Sequence, residues 1–111
     1  MPRRRWENEK QRRALTEALQ RRSSSFEALI ALGKVYLQEK NFGRAASVLQ
    51  KAAAIRPADA SILYALALAE EGRYQFAAAQ KAYSQAVRLK PQDMDIRRHY
   101  EEFQRKVLES Q

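Results

Sequence analysis

A recurrence at 34 residues governs the middle of this chain. Leu29, Leu32, Gly33, Ala45, Leu49, Ala52 and Pro57 are answered at that spacing by Leu63, Leu66, Ala67, Ala79, Tyr83, Ala86 and Pro91, and Phe42 by Phe76. Within each copy the apolar residues fall three and four apart, the pattern of helices with one buried face. The first copy reads as a helix of about 13 residues, opened by the capping box Ser24-x-x-Glu27, followed by a second near 42–55. Asn41 sits where it can cap that second helix, Pro57 forbids its continuation, and Asp59 can cap the next. A two-helix unit cannot bury its apolar faces alone, so the copies must stack, and the chain is expected to be all-α.

The flanks extend the pattern. Leu15 and Ala18 stand 34 residues before Leu49 and Ala52, and Ser23 stands where Pro57 and Pro91 stand later. Residues 1–25 therefore read as a half-repeat whose first helix is missing, or as a solvated helical arm that abuts the first repeat. Asp93 can cap a last helix near 94–109, with Ile96, Tyr100, Phe103 and Val107 inside and charged residues outside, as the end of a stack requires. The expected division is an N-terminal basic helix (1–25), repeat one (26–59), repeat two (60–93) and a capping helix (94–111), about six helices in all. Gly72 falls two residues before the expected turn, and Glu70 replaces the residue corresponding to Tyr36. The first helix of the second copy is accordingly expected to be two residues short, and its second helix to begin near Tyr74.

The motif Leu29-x2-Leu32-Gly33-x2-Tyr36, Ala45-x3-Leu49-x2-Ala52, Pro57 resembles the tetratricopeptide repeat. That resemblance implies a right-handed α-solenoid whose first helices line a concave groove for an extended peptide or a partner helix. Carried onto this sequence, the groove would present Glu27, Ile30, Lys34, Leu37 and Gln38. The second copy would add Ser61, Tyr64 and Leu68, and the capping helix Asp95, Arg98 and Glu102. It implies a non-enzymatic adaptor, scaffold or assembly factor with a protein partner. The chaperone-binding members clamp a terminal carboxylate with basic residues on these helices. Here the matching places hold Ile30, Lys34, Ala65, Asp95 and His99, a set poorly suited to that task.

Charge suggests a rival function. Residues 1–25 hold eight Lys/Arg against three Glu, whereas the blocks 58–93 and 94–111 are each balanced at four against four. Arg3, Arg4, Arg5, Arg12 and Arg13 form a basic patch that could meet RNA, a ribosome or an anionic membrane, with Trp6 available to stack on a base. Glu7, Glu9 and Glu17 interrupt it and no aromatic series interleaves with the charges, which fits a solvated helix, or one that docks on an acidic protein, better. Self-association through an exposed half-repeat is a third possibility.

Catalysis has little support. His99 is the only histidine, no cysteine exists, and no residues have metal-ligand spacing, so neither a metal nor another cofactor is expected. His99 reads as a packing or capping residue, and the pairs Glu70-Glu71 and Glu101-Glu102 read as solvated faces. No apolar run approaches the roughly 18 residues of a membrane span, and the first ten residues lack the core of a signal peptide. The expectation is a cytoplasmic protein.

Overall fold

The computed structural model describes residues 26–110 and, before them, Lys10, Gln11, Arg13, Ala14 and Glu17, which are helical and exposed. Arg3, Arg4, Arg5 and Arg12 of the basic patch, Trp6, and Ser24 of the capping box lie outside the described residues, as does the question of how residues 1–25 pack. Five helices follow: α1 (Phe26–Gln38), α2 (Phe42–Ile55), α3 (Ala60–Gly72), α4 (Phe76–Leu89) and α5 (Met94–Glu109). No strand occurs among the described residues.

The caps are those expected from the sequence. Asp59 accepts from the backbone N–H groups of Ser61 and Ile62 at 3.0 and 3.2 Å. Asp93 does the same for Asp95 and Ile96 at 3.1 and 3.2 Å. Asn41 accepts a longer bond, 3.4 Å, from Arg44 N–H. Each carboxylate satisfies two donors that the first helical turn leaves without intrahelical partners.

Stacking produces two layers. The hairpin α1–α2 packs on α3–α4, and α5 closes the stack against α4; α1 and α3 also touch each other. The first core joins Leu29, Leu32 and Tyr36 of α1 to Ala45, Leu49 and Ala52 of α2 and Ile62 of α3. A second surrounds Tyr83 and Phe103, and a third joins Leu63, Ala86 and Ile96. Ala45, Ala52, Ala67, Ala79 and Ala86 are completely buried, which lets the helix axes approach closely. A methyl group at Gly33 would lie 2.7 Å from Leu49 Cδ2, so the first crossing has no room for a side chain there.

The turn of the second copy corrects the reading around Gly72. Helix α3 is not shortened: it has the same 13 residues as α1 and ends at Gly72, and α4 starts at Phe76 rather than Tyr74. In the first turn Asn41 N–H donates to Tyr36 O at 2.8 Å, and Lys40 N–H to Leu37 O at 3.0 Å. In the second, Gln75 N–H donates to Glu70 O at 2.9 Å, and Tyr74 N–H to Glu71 O at 3.0 Å. Both turns are Schellman caps, in which the residue after the helix is left-handed. Lys40 and Tyr74 take that conformation, with φ of 58° and 60°. Glycine usually supplies it, so a glycine near a helix end suggests the turn. Here Gly72 serves another purpose: a Cβ at this helical position would run into the ring of Phe42 from the preceding repeat. Gly72→Ala is therefore expected to lower stability by up to about 2 kcal/mol in urea denaturation, the overpacking cost less the helix-propensity gain of alanine. In a Phe42→Ala background the same substitution should no longer destabilise the chain.

The adjacent carboxylates also differ from expectation. Glu70 is only 5% exposed and pairs with Arg73 at 2.8 Å. Glu71 turns the other way and is held by two donors. Neither belongs to a solvated face, because the Schellman turn draws Arg73 back over Glu70 while α4 and α5 close on Glu71.

Candidate binding cleft

On the side of the stack formed by α1, α3 and α5 lies a cleft of about 650 Å³. Leu37, Phe42, Leu68, Tyr74, Phe76 and Phe103 supply its apolar lining; Glu71, His99, Glu102 and Lys106 supply polar groups. Phe76 stands edge-on to Tyr74, with ring centroids 6.2 Å apart, and lies 6.0 Å from the ring of Phe103. Phe103 is buried, Phe76 partly open and Tyr74 80% exposed, so the aromatic wall runs from the core to solvent.

Two polar contacts set the chemistry of the lining. The Tyr64 hydroxyl is 2.8 Å from His99 Nδ1, which is also 2.9 Å from the Asp95 carbonyl oxygen. Burial is the first cause that raises the Tyr64 pKa, followed by the carboxylates of Asp95 and Asp93. The hydroxyl thus keeps its proton. The Asp95 carbonyl can only accept, so Nδ1–H is the donor there, with the Tyr64 hydroxyl oxygen beside it, and Nε2 is the edge of the ring that these contacts leave over. The second contact is a three-helix knot. Tyr83 O–H donates to Glu71 Oε1 at 2.7 Å, and Lys106 Nζ donates to Glu71 Oε2 at 3.1 Å. Burial and the bond to Glu71 hold the Tyr83 hydroxyl strongly toward its protonated form. Glu71 and Lys106 thereby cancel each other at the cleft wall, and α3, α4 and α5 are fixed relative to one another.

The residues singled out from the sequence are distributed unevenly around this cleft. Leu37 and Leu68 line it, and Tyr64 lies behind it, bonded to His99. Ile30 is half-buried and packs on the first core. Glu27, Lys34 and Gln38 are exposed on α1 outside the lining, and Arg98 is exposed and paired with Asp95 at 2.7 Å. Ser61 is exposed at the start of α3. Sequence reasoning passes over Glu71, Tyr74, His99 and Lys106. The 34-residue offset places Glu71 opposite Leu37, and Lys106 two periods on from Gln38, a signal that could have found both; Tyr74 becomes visible only with the true turn register. Among the described residues no cluster could hold a metal ion, and no helix is long and apolar enough to cross a membrane.

Comparison with known proteins agrees with this architecture. The tetratricopeptide-repeat family model matches residues 6–60. No curated protein matches the chain. Among solved structures, MamA (41-end) from Desulfovibrio magneticus RS-1 is similar at 28% identity and a TM-score of 0.88, over 91% of this chain and 57% of that one. The chain thus spans less than two thirds of MamA. The Sgt2 TPR domain from Aspergillus fumigatus aligns at 21% identity with a TM-score of 0.83, over 96% of this chain and 72% of its own. The first TPR of Spaghetti (RPAP3), bound to the HSP90 peptide SRMEEVD, aligns at 14% identity with a TM-score of 0.84, over 92% and 81%. The last two likenesses concern the fold alone. With helices, caps and left-handed turns repeating at 34 residues, the chain belongs to the tetratricopeptide-repeat family.

Proposed function

We propose that the chain is a non-enzymatic interaction module, an adaptor or assembly factor, that holds a peptide or helix of a partner protein in the α1/α3/α5 cleft. The observation that carries this reading is the cleft itself: an aliphatic and aromatic lining open to solvent, with the His99 ring and the Glu102 carboxylate at its side. Such a surface suits a segment with a large apolar anchor and an adjacent polar group. The anchor displaces water from Leu68 and Phe76, and the polar group orients it against His99. Glu27, Ile30, Lys34, Gln38 and Arg98 extend the same side of the stack and would meet a longer ligand beyond the cleft.

The test is selection of peptides from a library on the full chain, followed by measurement of the best binder on variants. Leu68→Asp should weaken it at least tenfold, and Tyr64→Ala, which frees His99 Nδ1, by a smaller factor. Lys34→Glu reports whether the ligand reaches α1. A binder indifferent to Leu68→Asp and Tyr64→Ala would remove the cleft from the argument. The rival reading, docking on RNA, a ribosome or a membrane through Arg3–Arg5, Arg12 and Arg13, predicts a steep loss of affinity with salt and upon removal of residues 3–5. The proposed setting is cytoplasmic. Self-association is checked by sedimentation at several concentrations.

A further inference from the structure

The two layers of the stack differ in charge. Helices α2 and α4, which reach the cleft only through their first residues Phe42 and Phe76, contain no Asp or Glu, and neither do the segments 42–58 and 72–92 in which they lie. Besides Arg73, which pairs with Glu70, their cations are Arg44, Lys51, Arg56, Lys81, Arg88 and Lys90, all exposed. Arg44 and Lys51 are seven residues apart on α2, as are Lys81 and Arg88 on α4, so each pair lies two turns apart along one stripe. No ion pair joins Arg44, Lys51, Lys81, Arg88 or Lys90 to a carboxylate among the described residues. The carboxylates that share hollows with this face are already engaged. Glu70, beside Lys81 in the hollow between α2 and α4, is buried against Arg73, and Asp59 and Asp93, beside Lys90, cap α3 and α5. The balanced count of residues 58–93 conceals this segregation, because its acids sit on α3 and at the caps while its cations other than Arg73 sit on α4 or at its C-terminal cap.

A one-signed field over two neighbouring helices implies an anionic partner. Its remaining chemistry selects among such partners. Apart from the cations, the exposed residues of α2 and α4 include Ser47, Gln50, Ala54, Ala77 and Ala78, with no aromatic ring for base stacking; Phe76 lines the opposite cleft. Ile55 and Leu89, equivalent residues at the ends of the two helices, are 48% and 43% exposed. Each is followed directly by a cation, Arg56 or Lys90, and these two line one shared hollow. An aliphatic side chain beside a cation suits the boundary between lipid headgroups and acyl chains, where one enters and the other meets phosphate. A nucleic-acid backbone offers nothing to the aliphatic half of that pair.

We infer that the α2/α4 face docks the protein peripherally on an anionic lipid surface, with the cleft side directed away from the membrane. The experiment is co-sedimentation of the full chain with vesicles of phosphatidylcholine alone and of phosphatidylcholine containing phosphatidylserine. Binding is expected only to the second kind, and should fall as salt is raised. Lys81→Glu/Arg88→Glu should weaken it about tenfold or more. Arg97→Glu/Arg105→Glu, which makes the same charge change on exposed positions of α5, should change it by no more than about twofold. Ile55→Ser/Leu89→Ser should also weaken it, whereas Leu68→Asp should not, which separates this surface from the cleft. Circular dichroism of each variant verifies folding. The inference is overturned if phosphatidylserine vesicles are not bound, if the α4 and α5 variants lose affinity equally, if the α4 variant binds as the intact chain does through its N-terminal arginines, or if RNA displaces the protein from vesicles at equal phosphate.

Discussion

Tyr83→Ala is expected to remove roughly 3–5 kcal/mol of stability, the range for emptying a large aromatic site in a packed core. Tyr83 has no exposed surface. Its ring lies 5.1 Å from that of Phe103, stacks on Tyr100 at 5.8 Å and approaches Tyr64 at 6.4 Å, so it joins α3, α4 and α5 in one cluster. Tyr83→Phe separates the hydroxyl from the ring. It keeps the packing but takes the 2.7 Å donor from Glu71, and should cost about 1.5–3 kcal/mol, the range for a hydrogen bond to a charged group. Lys106 should become the remaining partner of Glu71, and its replacement in the Tyr83→Phe background should cost more than in the intact chain.

The same hydroxyl gives a pH signature. Burial and the bond to Glu71 raise its pKa in the folded chain above the ordinary 10.0 of an unfolded tyrosine. Below that value both states bind the proton, and the contribution to stability is complete. Above it the unfolded chain ionises first, so stability falls with rising pH. Urea denaturation of the intact chain should steepen in its loss above about pH 10, and Tyr83→Phe should reduce that slope.

Much of this fold is legible in the residues, because its rules are local and periodic. Pro57 and Pro91 end helices, Asp59 and Asp93 cap them, and Leu29, Leu49 and Tyr83 fall on buried faces simply by spacing. The error at Gly72 shows the limit. Sequence treats glycine as a turn residue on local grounds, whereas its use here is set by Phe42 of another repeat. The cleft is only half visible for the same reason. Leu37 and Leu68 follow from the face of a helix, but the pairing of Tyr64 with His99 and of Glu71 with Lys106 spans 35 residues in each case. Counting along the chain misjudges charge when the structure sorts it by layer. A block with equal acids and bases reads as neutral until its two helices are seen to lie on opposite sides of the stack.

The crossing of α1 and α2 permits a sharper prediction, because one contact determines two substitutions. Leu49 is 1% exposed, and Leu49→Ala should cost about 2–5 kcal/mol through the lost burial and the cavity left behind. Gly33→Ala alone should also destabilise, although alanine is the better helix former by about 1 kcal/mol. The added Cβ would stand 2.7 and 2.8 Å from Leu49 Cδ2 and Cγ, and Leu49 cannot retreat from a core it fills. Overpacking of this sort costs about 1–3 kcal/mol. In the double variant the objection disappears. The methyl group added at position 33 enters space that Leu49 has vacated, and the helix gains its propensity without a clash. Gly33→Ala/Leu49→Ala should therefore be more stable than Leu49→Ala alone, with a favourable coupling of about 1–3 kcal/mol in a double-mutant cycle of urea denaturation. Strict additivity would mean that α1 and α2 shift apart freely, and that Gly33 is not what sets their distance.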